Sequence, residues 1–247
     1  MNTVKTEGLT KIYGSGNTAV TALDSINIHA AEGEFVAVMG PSGCGKSTLL
    51  HLLGGLDHPT RGKVLINGQD IAEMTDDALT ELRRREMGFV FQFFNLLPVL
   101  SAVENAALPI MLDGVKPDEA KVKATEWLTR FGLADRLANR PDQLSGGQQQ
   151  RVAVARALVS EPKLVLADEP TGNLDTRSGD EIAALLRDVS QKYGRTVVMV
   201  SHDPRIAAYA DRIIFLKDGK VIDETLLEQK NGKNAEMVAE RMTKLAN

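Results

Sequence analysis

The chain has 247 residues, of which 43% are hydrophobic and 25% charged, so it can bury one sizeable core, and we expect one domain with two lobes. A net charge of −4 without a long basic tract argues against general binding to nucleic acid. No window approaches the ~20 apolar residues that span a bilayer and no secretory signal pattern is present, which favours a cytoplasmic protein or one that reaches a membrane through partners.

The first predicted elements are strands. Residues 4–13 and 22–29 have strand-like patterns on either side of a glycine-containing turn, which indicates a β-rich start. The continuous apolar run Phe35–Met39 predicts a buried strand. Further on, two short apolar runs surround an Asn-Gly pair at residues 67–68, a strong hairpin signal, so we expect a small antiparallel sheet beside the buried strand.

Directly after the buried strand, the chain reads Gly-Pro-Ser-Gly-Cys-Gly-Lys-Ser, which fits the phosphate-binding pattern G-x-x-x-x-G-K-[ST]. Its glycines let successive backbone N–H groups turn inward and form an anion-sized nest at a helix N-terminus. The pattern predicts binding of a nucleoside triphosphate; a glycine-rich turn before a core helix is the alternative. The predicted phosphate-binding residues are Gly40, Pro41, Ser42, Gly43, Cys44, Gly45, Lys46, Ser47 and Thr48.

Several side chains of this loop have separate predicted tasks. Lys46 supplies a mobile charge for the β- and γ-phosphates, the Ser47 hydroxyl can ligate Mg²⁺, and Thr48 can donate to the α-phosphate. The single cysteine, Cys44, lies beside Lys46, where a cation and a helix N-terminus could lower the pKa of its thiol. A redox switch at Cys44 is one interpretation, and an ordinary loop residue is the favoured one.

The next segment predicts a helix followed by a strand. The helix, over residues 75–85, has aspartates in its first turn and an arginine run, residues 83–85, in its last, an order that complements the helix dipole. The simplest interpretation of the arginine run is a solvated helix end. The strand covers residues 88–91.

Helices dominate the part of the chain that follows. A capping-box pattern begins at Ser101. Residues 117–131 have the periodicity of an amphipathic helix, with Val122, Trp127 and Leu128 on its inward face.

The pattern then returns to strands. Apolar runs at residues 164–167 and 196–200 flank a helix over residues 178–193, and this alternation implies a parallel sheet. A hairpin about residues 218–219 and a polar helix over residues 234–245 follow. The expected fold class is α/β, with a mixed, mainly parallel core sheet. The predicted parts of a single domain over 1–247 are a core lobe with an antiparallel β part (1–92 and 161–230), an inserted helical lobe (93–160) and a C-terminal helix (231–247).

The sequence Leu-Ser-Gly-Gly-Gln at residues 144–148 precedes a predicted helix over residues 149–159. The serine and the glycine amides lie at the N-terminus of this helix and would point towards a bound anion. The alternative is an N-capped helix without a ligand. Together with the phosphate-binding loop, this sequence resembles the ATP-binding-cassette (ABC) transporter ATPases. The resemblance implies a P-loop NTPase fold in which this signature from one subunit closes over the γ-phosphate held by another. The signature residues implied to contact ATP are Ser145, Gly146, Gly147 and Gln148.

Two adjacent carboxylates follow the strand at residues 164–167, at the carboxyl edge of the predicted parallel sheet, where such sheets build their sites. By itself such a pair is usually a solvated turn. The resemblance implies instead that Asp168 holds Mg²⁺ through water and that Glu169 polarises the attacking water as general base. It also places Asp175 in a turn that resembles the family's D-loop, in contact with ATP.

Three further positions match the family pattern. His202 resembles the switch histidine that contacts the γ-phosphate and orders Glu169, although a strand-end histidine is more often a surface residue. Gln92 resembles the Q-loop glutamine, which implies a catalytic role and contact with Mg²⁺. Tyr13 resembles the aromatic residue that stacks on adenine, and a core tyrosine is the alternative.

The family resemblance implies an ATPase subunit that works as a dimer. Two copies would sandwich two ATP molecules and drive separate transmembrane permease subunits from the cytoplasmic face of the membrane, without a nucleic-acid partner. The groove between the lobes near Phe93, Phe94 and Leu97 is the expected dock for the permease. Within the family, the sequence looks most like the lipoprotein-releasing and macrolide-exporter branch, with the peptide-antibiotic resistance and cell-division branches as alternatives. A soluble cassette ATPase acting on DNA or ribosomes and a regulatory module that binds ATP without hydrolysis are the rivals.

Overall fold

The structure is a computed structural model that describes residues 1–228 and 234–246. Within these ranges the chain forms two β-sheets and eight α-helices. The strands are β1 (Asn2–Tyr13), β2 (Val20–Ile26), β3 (His29–Ala31), β4 (Phe35–Met39), β5 (Arg61–Ile66), β6 (Gln69–Asp70), β7 (Met87–Phe91), β8 (Leu164–Asp168), β9 (Thr196–Val200), β10 (Arg212–Lys217) and β11 (Lys220–Leu226). The helices are α1 (Lys46–Leu53), α2 (Asp76–Glu86), α3 (Ala102–Leu112), α4 (Pro117–Arg130), α5 (Gly146–Leu158), α6 (Thr176–Gln191), α7 (Pro204–Ala207) and α8 (Ala235–Ala246).

The larger sheet has six strands in the order β11-β10-β4-β9-β8-β7. Its strands run parallel from β10 to β7, and β11 pairs antiparallel with β10 at one edge. The interior strands β4 and β9 are apolar and buried along nearly their whole length, as strands covered on both faces must be. This mixed, mainly parallel sheet has the form that the sequence predicts.

Side chains of β4 point alternately to the two faces of the larger sheet. Phe35, Ala37 and Met39 join one buried cluster with side chains of helices α3 to α6. Val36 and Val38 join a second cluster with α1 and with strands of the smaller sheet. Each fully buried side chain of this size contributes about 1.5–3 kcal/mol, so the two clusters hold the helices and the small sheet on opposite faces.

The smaller sheet is antiparallel, in the order β2-β1-β5-β6, with β3 also paired to β1. The single strand predicted over residues 22–29 is wrong, because two strands form there and the ladder is interrupted at residues 27–28. Backbone conformation explains the break, since Gly8 (φ 58°) and Ser25 (φ 54°) both lie in the left-handed region. The Thr6 hydroxyl bridges the gap by donating to the Ile26 carbonyl and accepting from the amide of residue 28.

Helix α4 buries a different face from the one predicted. Its buried residues recur at helical spacing and include Trp127 and Leu128, as expected, together with Ala120 and Ala124. Val122 is 60% exposed, so its predicted inward position is wrong. Position 122 is two residues away from both alanines and therefore lies on the opposite side of a helix with 3.6 residues per turn.

The arginines at the end of α2 are not simply solvated. Arg83 donates to the carbonyl of Gly55, which follows α1, at 2.7 Å. Arg84 and Arg85 form ion pairs of 3.3 and 3.6 Å with Asp113, at the end of α3. Arg84 and Arg85 are exposed, as expected of a solvated helix end, whereas Arg83 is partly buried against the residue that follows α1.

The three helices α3 to α5 lie inside the range 93–160 predicted for the helical lobe. The predicted boundary between residues 230 and 231 lies outside the described residues. For residues 1–228 and 234–246, no helix is both long and apolar enough to cross a bilayer.

Candidate functional site

The register of the larger sheet brings the predicted site residues to one edge. Phe91 of β7 lies opposite Asp168 of β8, and Asp168 lies opposite Val200 of β9. Because parallel strands end together, the segments that follow these residues share the carboxyl edge of the sheet. Those segments contain Gln92, Glu169 and His202, and the loop after β4 joins them there.

Residues 40–47 form a tight loop between β4 and α1 that requires glycine. A Cβ atom on Gly40 (φ 157°) would lie 2.1 Å from the Leu216 carbonyl oxygen, and one on Gly45 (φ 103°) would lie 2.4 Å from that of Ala22. Since Gly45 is the N-cap residue of α1, no side chain caps the first amides of that helix. A helix N-terminus with free amides suits an anion, so the loop fits a nucleotide phosphate.

Lys46 folds back over this loop. Its ammonium donates to the carbonyl oxygens of Gly40 and Pro41, both at 2.9 Å, and the residue is 8% exposed. The third donor of the ammonium faces the Cys44 sulfur at 4.0 Å, a long and weak contact that a phosphate oxygen can replace. The side chain is therefore held in place by the backbone of the loop that it serves.

Two of the three residues predicted to hold Mg²⁺, Ser47 and Asp168, lie side by side. The Ser47 hydroxyl donates to the Asp168 carboxylate at 3.2 Å, although the two residues are 121 positions apart in the chain. A hydroxyl and a carboxylate are hard oxygen donors, which Mg²⁺ prefers together with phosphate oxygens. The residues present therefore fit Mg²⁺ bound with a nucleotide.

Glu169 and His202 also meet at this edge. The Nδ1 atom of His202 lies 2.9 Å from Oε2 of Glu169, and the histidine side chain is 67% exposed. Glu169 has a left-handed backbone (φ 46°), and its amide donates to the Val200 carbonyl. The contact is the one expected between a switch histidine and a general base, and the two catalytic roles stay predictions.

Gln92 lies against the turn that contains residues 172–173. Its Nε2 atom donates to the Asn173 side chain at 3.4 Å, and the Asn173 amide donates back to the Gln92 carbonyl at 3.0 Å. A Cβ atom on Gly172 would lie 2.8 Å from Nε2, so a side chain there would displace the end of Gln92 from this position. The structure places Gln92 at the edge that holds Asp168, and its role as an Mg²⁺ ligand stays a prediction.

The signature forms the first turn of α5, which begins at Gly146, three residues before the predicted start. Ser145 is the N-cap residue and forms a capping box with Gln148, with bonds of 2.9 and 3.3 Å. Glycines at the first two helical positions are poor helix formers, and the capping box compensates for them. The hydroxyl of the exposed Ser145 accepts a hydrogen bond in this box and still has its own proton to donate.

The signature and the phosphate-binding loop are separate sites on this chain. Ser145, Gly147 and Gln148 line an open cleft with Asp175, and among the described residues no hydrogen bond connects the signature to residues 40–48. Asp175 caps α6 through Ser178 and also lines the cleft that contains Glu169. The cleft of the signature is thus open to a ligand that the loop of the same chain does not hold.

Tyr13 lies at the end of β1 and is 42% exposed. Its hydroxyl donates to Asp57 at 2.8 Å, and burial together with that bond raises the pKa of Tyr13. The Lys11 ammonium lies 4.8 Å from the ring centroid, so a stacked adenine would use the other face of the ring. Stacking on adenine stays a prediction.

Burial argues against the redox interpretation of Cys44 and agrees with the favoured one, an ordinary loop residue. The residue is 4% exposed, and its burial raises the pKa of the thiol despite the nearby Lys46. Loss of hydration therefore outweighs the attraction between the thiolate and the ammonium.

Sequence reasoning missed Gln150, which connects three parts of the site. The residue is fully buried on α5, and its Nε2 atom donates to the carbonyls of Pro170 (2.6 Å) and Phe91 (3.3 Å). Its position had a signal, because residue 150 shares the helical face of the buried Ala153, Val154 and Ala157. The side-chain nitrogen finds backbone groups next to Glu169 and Gln92, whereas the side-chain oxygen is buried without a hydrogen-bond partner.

Comparison with known proteins decides the family. The sequence pattern described as "ABC transporter" matches residues 23–172. The chain belongs to the ABC transporter family. This ABC ATPase is 51% identical, over 87% of its length and 95% of the relative, to the lipoprotein-releasing system ATP-binding protein LolD of Geobacter metallireducens. It is 49% identical to the macrolide export ATP-binding/permease protein MacB of Vibrio parahaemolyticus, with 92% of the chain matched to 34% of that longer protein.

Solved structures agree with the fold and the activity. The dimeric post-hydrolysis structure of the cassette MJ0796 bound to ADP and Pi, from Methanocaldococcus jannaschii, is 47% identical to this chain, with a TM-score of 0.83. That match covers 91% of this chain and 99% of MJ0796. The resemblance, the α/β cassette fold and the ATPase activity are therefore confirmed, and the chain is the ATP-binding subunit of an ABC transporter.

Proposed function

We propose that two copies of this chain enclose two ATP molecules, each between the phosphate-binding loop of one copy and the signature of the other. The separation of the two half-sites on one chain supports this arrangement, since each is open and incomplete alone. The dimeric structure of MJ0796, at 47% identity, supports it as well.

Each composite site would hydrolyse ATP with residues of the sheet edge. The amides of loop 40–47 and Lys46 hold the phosphates, and Glu169 accepts a proton from the attacking water while His202 keeps its carboxylate in place. Mg²⁺ held by Ser47, Gln92 and Asp168 would neutralise negative charge on the phosphates. The observation that carries the proposal is the Glu169–His202 contact beside the Ser47–Asp168 pair.

Replacement of Glu169 by Gln tests this assignment. The amide cannot act as a base, so we expect ATP turnover to fall about 10²–10⁴-fold while ATP binding is retained. Phosphate release and nucleotide affinity are the measurements. Glu161→Gln is the control, because Glu161 is also a left-handed glutamate (φ 54°) but lies after α5 and pairs with Arg195. Unchanged turnover in Glu169→Gln would remove Glu169 from the role of base.

The chain would act on separate transmembrane permease subunits at the cytoplasmic face of the membrane, in the lipoprotein-release and macrolide-export branch. The identities to LolD and MacB proteins support this branch, and this chain matches 34% of MacB, a protein whose name includes a permease. The groove between α2 and the helical part is the proposed dock. It is lined by Met87, Phe89, Phe91 and Pro109, with Arg83, Arg84 and Arg156 among its polar residues.

One expectation about this dock needs correction. Phe94 is only partly exposed, and the tip of its ring lies 3.7 Å from a Cβ position on Gly146 of the signature. Phe93, Leu97 and Val99 are the exposed apolar residues of this loop, at 73%, 45% and 72%. A charge at Phe94 would therefore disturb the signature as well as the dock.

Leu97 does not line the groove but lies two residues after Asn95, which does, so Leu97→Asp tests the exposed loop at the edge of the dock without that complication. We expect the variant to lose co-purification with a membrane protein and to keep its basal ATP hydrolysis, because a charge in an apolar contact is costly. Val122→Asp is the matched control, since Val122 is equally apolar and 60% exposed on another face of the helical part. A Leu97→Asp chain that still copurifies with its permease would place the dock elsewhere, and recovery of DNA or ribosomes alone would exclude the transport role.

A further inference from the structure

The loop after Gln92 contains two consecutive left-handed residues that are not glycine. Phe94 has φ 57° and Asn95 has φ 51°. The amide of Asn95 donates to the carbonyl of Phe93, which closes a three-residue turn about Phe94. An aromatic residue disfavours this conformation, so other contacts must hold the turn.

Arg156 of α5 supplies those contacts. Its guanidinium donates to the Phe94 carbonyl at 2.8 Å and to the Asn95 carbonyl. Two donors of one planar group thus bind the two carbonyls of the strained turn, a geometry that a lysine ammonium does not reproduce. Burial lowers the pKa of Arg156, so the loop carbonyls replace part of the water that the cation has lost.

The turn lies between two parts of the catalytic machinery. On one side, Gln92 is bonded in both directions to Asn173. On the other, Phe94 approaches Gly146 of the signature, while Arg156 reaches the turn from nearly three helical turns further along the same helix. Phe93 alone separates Gln92 from Phe94. The backbone conformation of the turn therefore fixes the backbone position of Gln92 at the end of its strand.

We infer that Arg156 is a positioning residue for ATP hydrolysis, which holds Gln92 at the carboxyl edge of the sheet by fixing the left-handed turn at Phe94 and Asn95. The inference rests on the proposed role of Gln92. Without the guanidinium, the turn relaxes to ordinary backbone conformations and Gln92 loses its fixed orientation. Arg156 also lines the groove proposed as the dock, so a permease in that groove meets the group that controls the turn.

The test compares Arg156→Gln and Arg156→Lys in the full chain. We expect Arg156→Gln to lower kcat about tenfold with the KM for ATP nearly unchanged, because the turn orients a group for the reaction and does not bind the nucleotide base or sugar. Hydrogen–deuterium exchange at residues 93–97 should rise about tenfold or more in the same variant. Arg156→Lys should give kcat and exchange values between those of Arg156→Gln and the native chain. An ammonium cannot donate to both carbonyls with the planar geometry of a guanidinium.

Arg130→Gln is the control, because Arg130 is an exposed arginine of α4 that stacks on Trp127 and does not contact the loop. It should leave kcat and the exchange of residues 93–97 unchanged. If residues 93–97 of Arg156→Gln exchange at the native rate, whether or not kcat falls, the inference is overturned. It is also overturned if Arg130→Gln loses as much kcat as Arg156→Gln. Gln92→Ala separates the two proposals: if it leaves kcat unchanged, the role of Gln92 fails, while the exchange data still decide whether Arg156 holds the turn.

Discussion

The backbone φ angle of Glu169 determines where its carboxylate lies in the site. Its left-handed conformation (φ 46°) costs a non-glycine residue about 1–3 kcal/mol. The turn takes the chain out of β8 directly after Asp168, and the carboxylate of Glu169 then meets His202 at 2.9 Å. Two adjacent carboxylates are thereby given different partners, because Asp168 meets Ser47 instead.

Cys44 gives a prediction at the same scale. Because burial raises the pKa of its thiol, the thiolate fraction near neutral pH is lower than that of a free cysteine. We expect iodoacetamide to modify the native chain at pH 7.5 at least about tenfold more slowly than the chain unfolded in urea. The rate should increase as the pH is raised towards the elevated pKa. Mass spectrometry of the alkylated chain measures both rates, and equal rates at pH 7.5 would contradict the buried, protonated thiol.

Elements show where sequence reasoning succeeds and where it stops. The alternation of buried strands and helices predicts the parallel sheet, and the site residues at strand ends follow from it.

Val122 was misplaced because an apolar residue can occupy the exposed face of a helix, and small alanines filled the buried one. The start of α5 was missed because glycine disfavours a helix, while the capping box at Ser145 restores it. Arg156 was missed because its partners are backbone carbonyls, which no sequence pattern marks; for Gln150 the sequence indicates the buried position but not the carbonyl partners.

The capping box of α3 gives the prediction for an element. The Ser101 amide and hydroxyl donate to Glu104, and with Lys121 they lower the pKa of that carboxyl from 4.5 to about 2. A lowered pKa means that the ionised form stabilises the fold. This contribution is complete above about pH 4.5 and is lost as the pH falls towards 2.

We therefore expect Glu104→Gln to lower the Tm at pH 7, and the difference from the native chain to shrink as the pH falls from 4.5 to 2. Thermal unfolding followed by circular dichroism over this pH range is the measurement. Glu119→Gln on α4 is the control, since Glu119 has a 3.9 Å ion pair with Lys123 and no capping bond. A Tm difference for Glu104→Gln that does not vary with pH would mean that the charge is not what stabilises the cap.

At the scale of the whole molecule, the proposed function gives each chain two half-sites of opposite kinds. The phosphate-binding loop and the sheet edge would form one, and the signature with Asp175 would form the other. A two-fold dimer that joins unlike half-sites creates two equal composite sites, so the symmetry of the assembly sets the number of active sites.

Mixing variants tests this arrangement. Lys46→Ala removes one half-site and Ser145→Arg the other, so each variant alone should be inactive. Mixed in equal amounts, they should recover roughly a quarter of the native activity, because half of randomly formed dimers contain one intact composite site. A chain with both substitutions, mixed in equal amounts with the native chain, should lower the activity of the native chain. If the active site formed within one chain, the first mixture would stay inactive and the double variant would have no effect on its native partner.

The ion pairs between Asp113 and the arginines of α2 have a further consequence for the working molecule. Both are on the surface, with Arg84 and Arg85 side chains 44% and 59% exposed. Exposed pairs contribute about 0–1 kcal/mol and weaken further as ionic strength rises, since the Debye length at 0.15 M salt is about 8 Å. The ion pairs between α2 and α3 are therefore weak, and their strength depends on the salt concentration. Arg156 is half-buried, so salt weakens its hydrogen bonds to the neighbouring loop less. Concentrated salt would thus loosen the two helices from each other while the loop beside Gln92 keeps its shape.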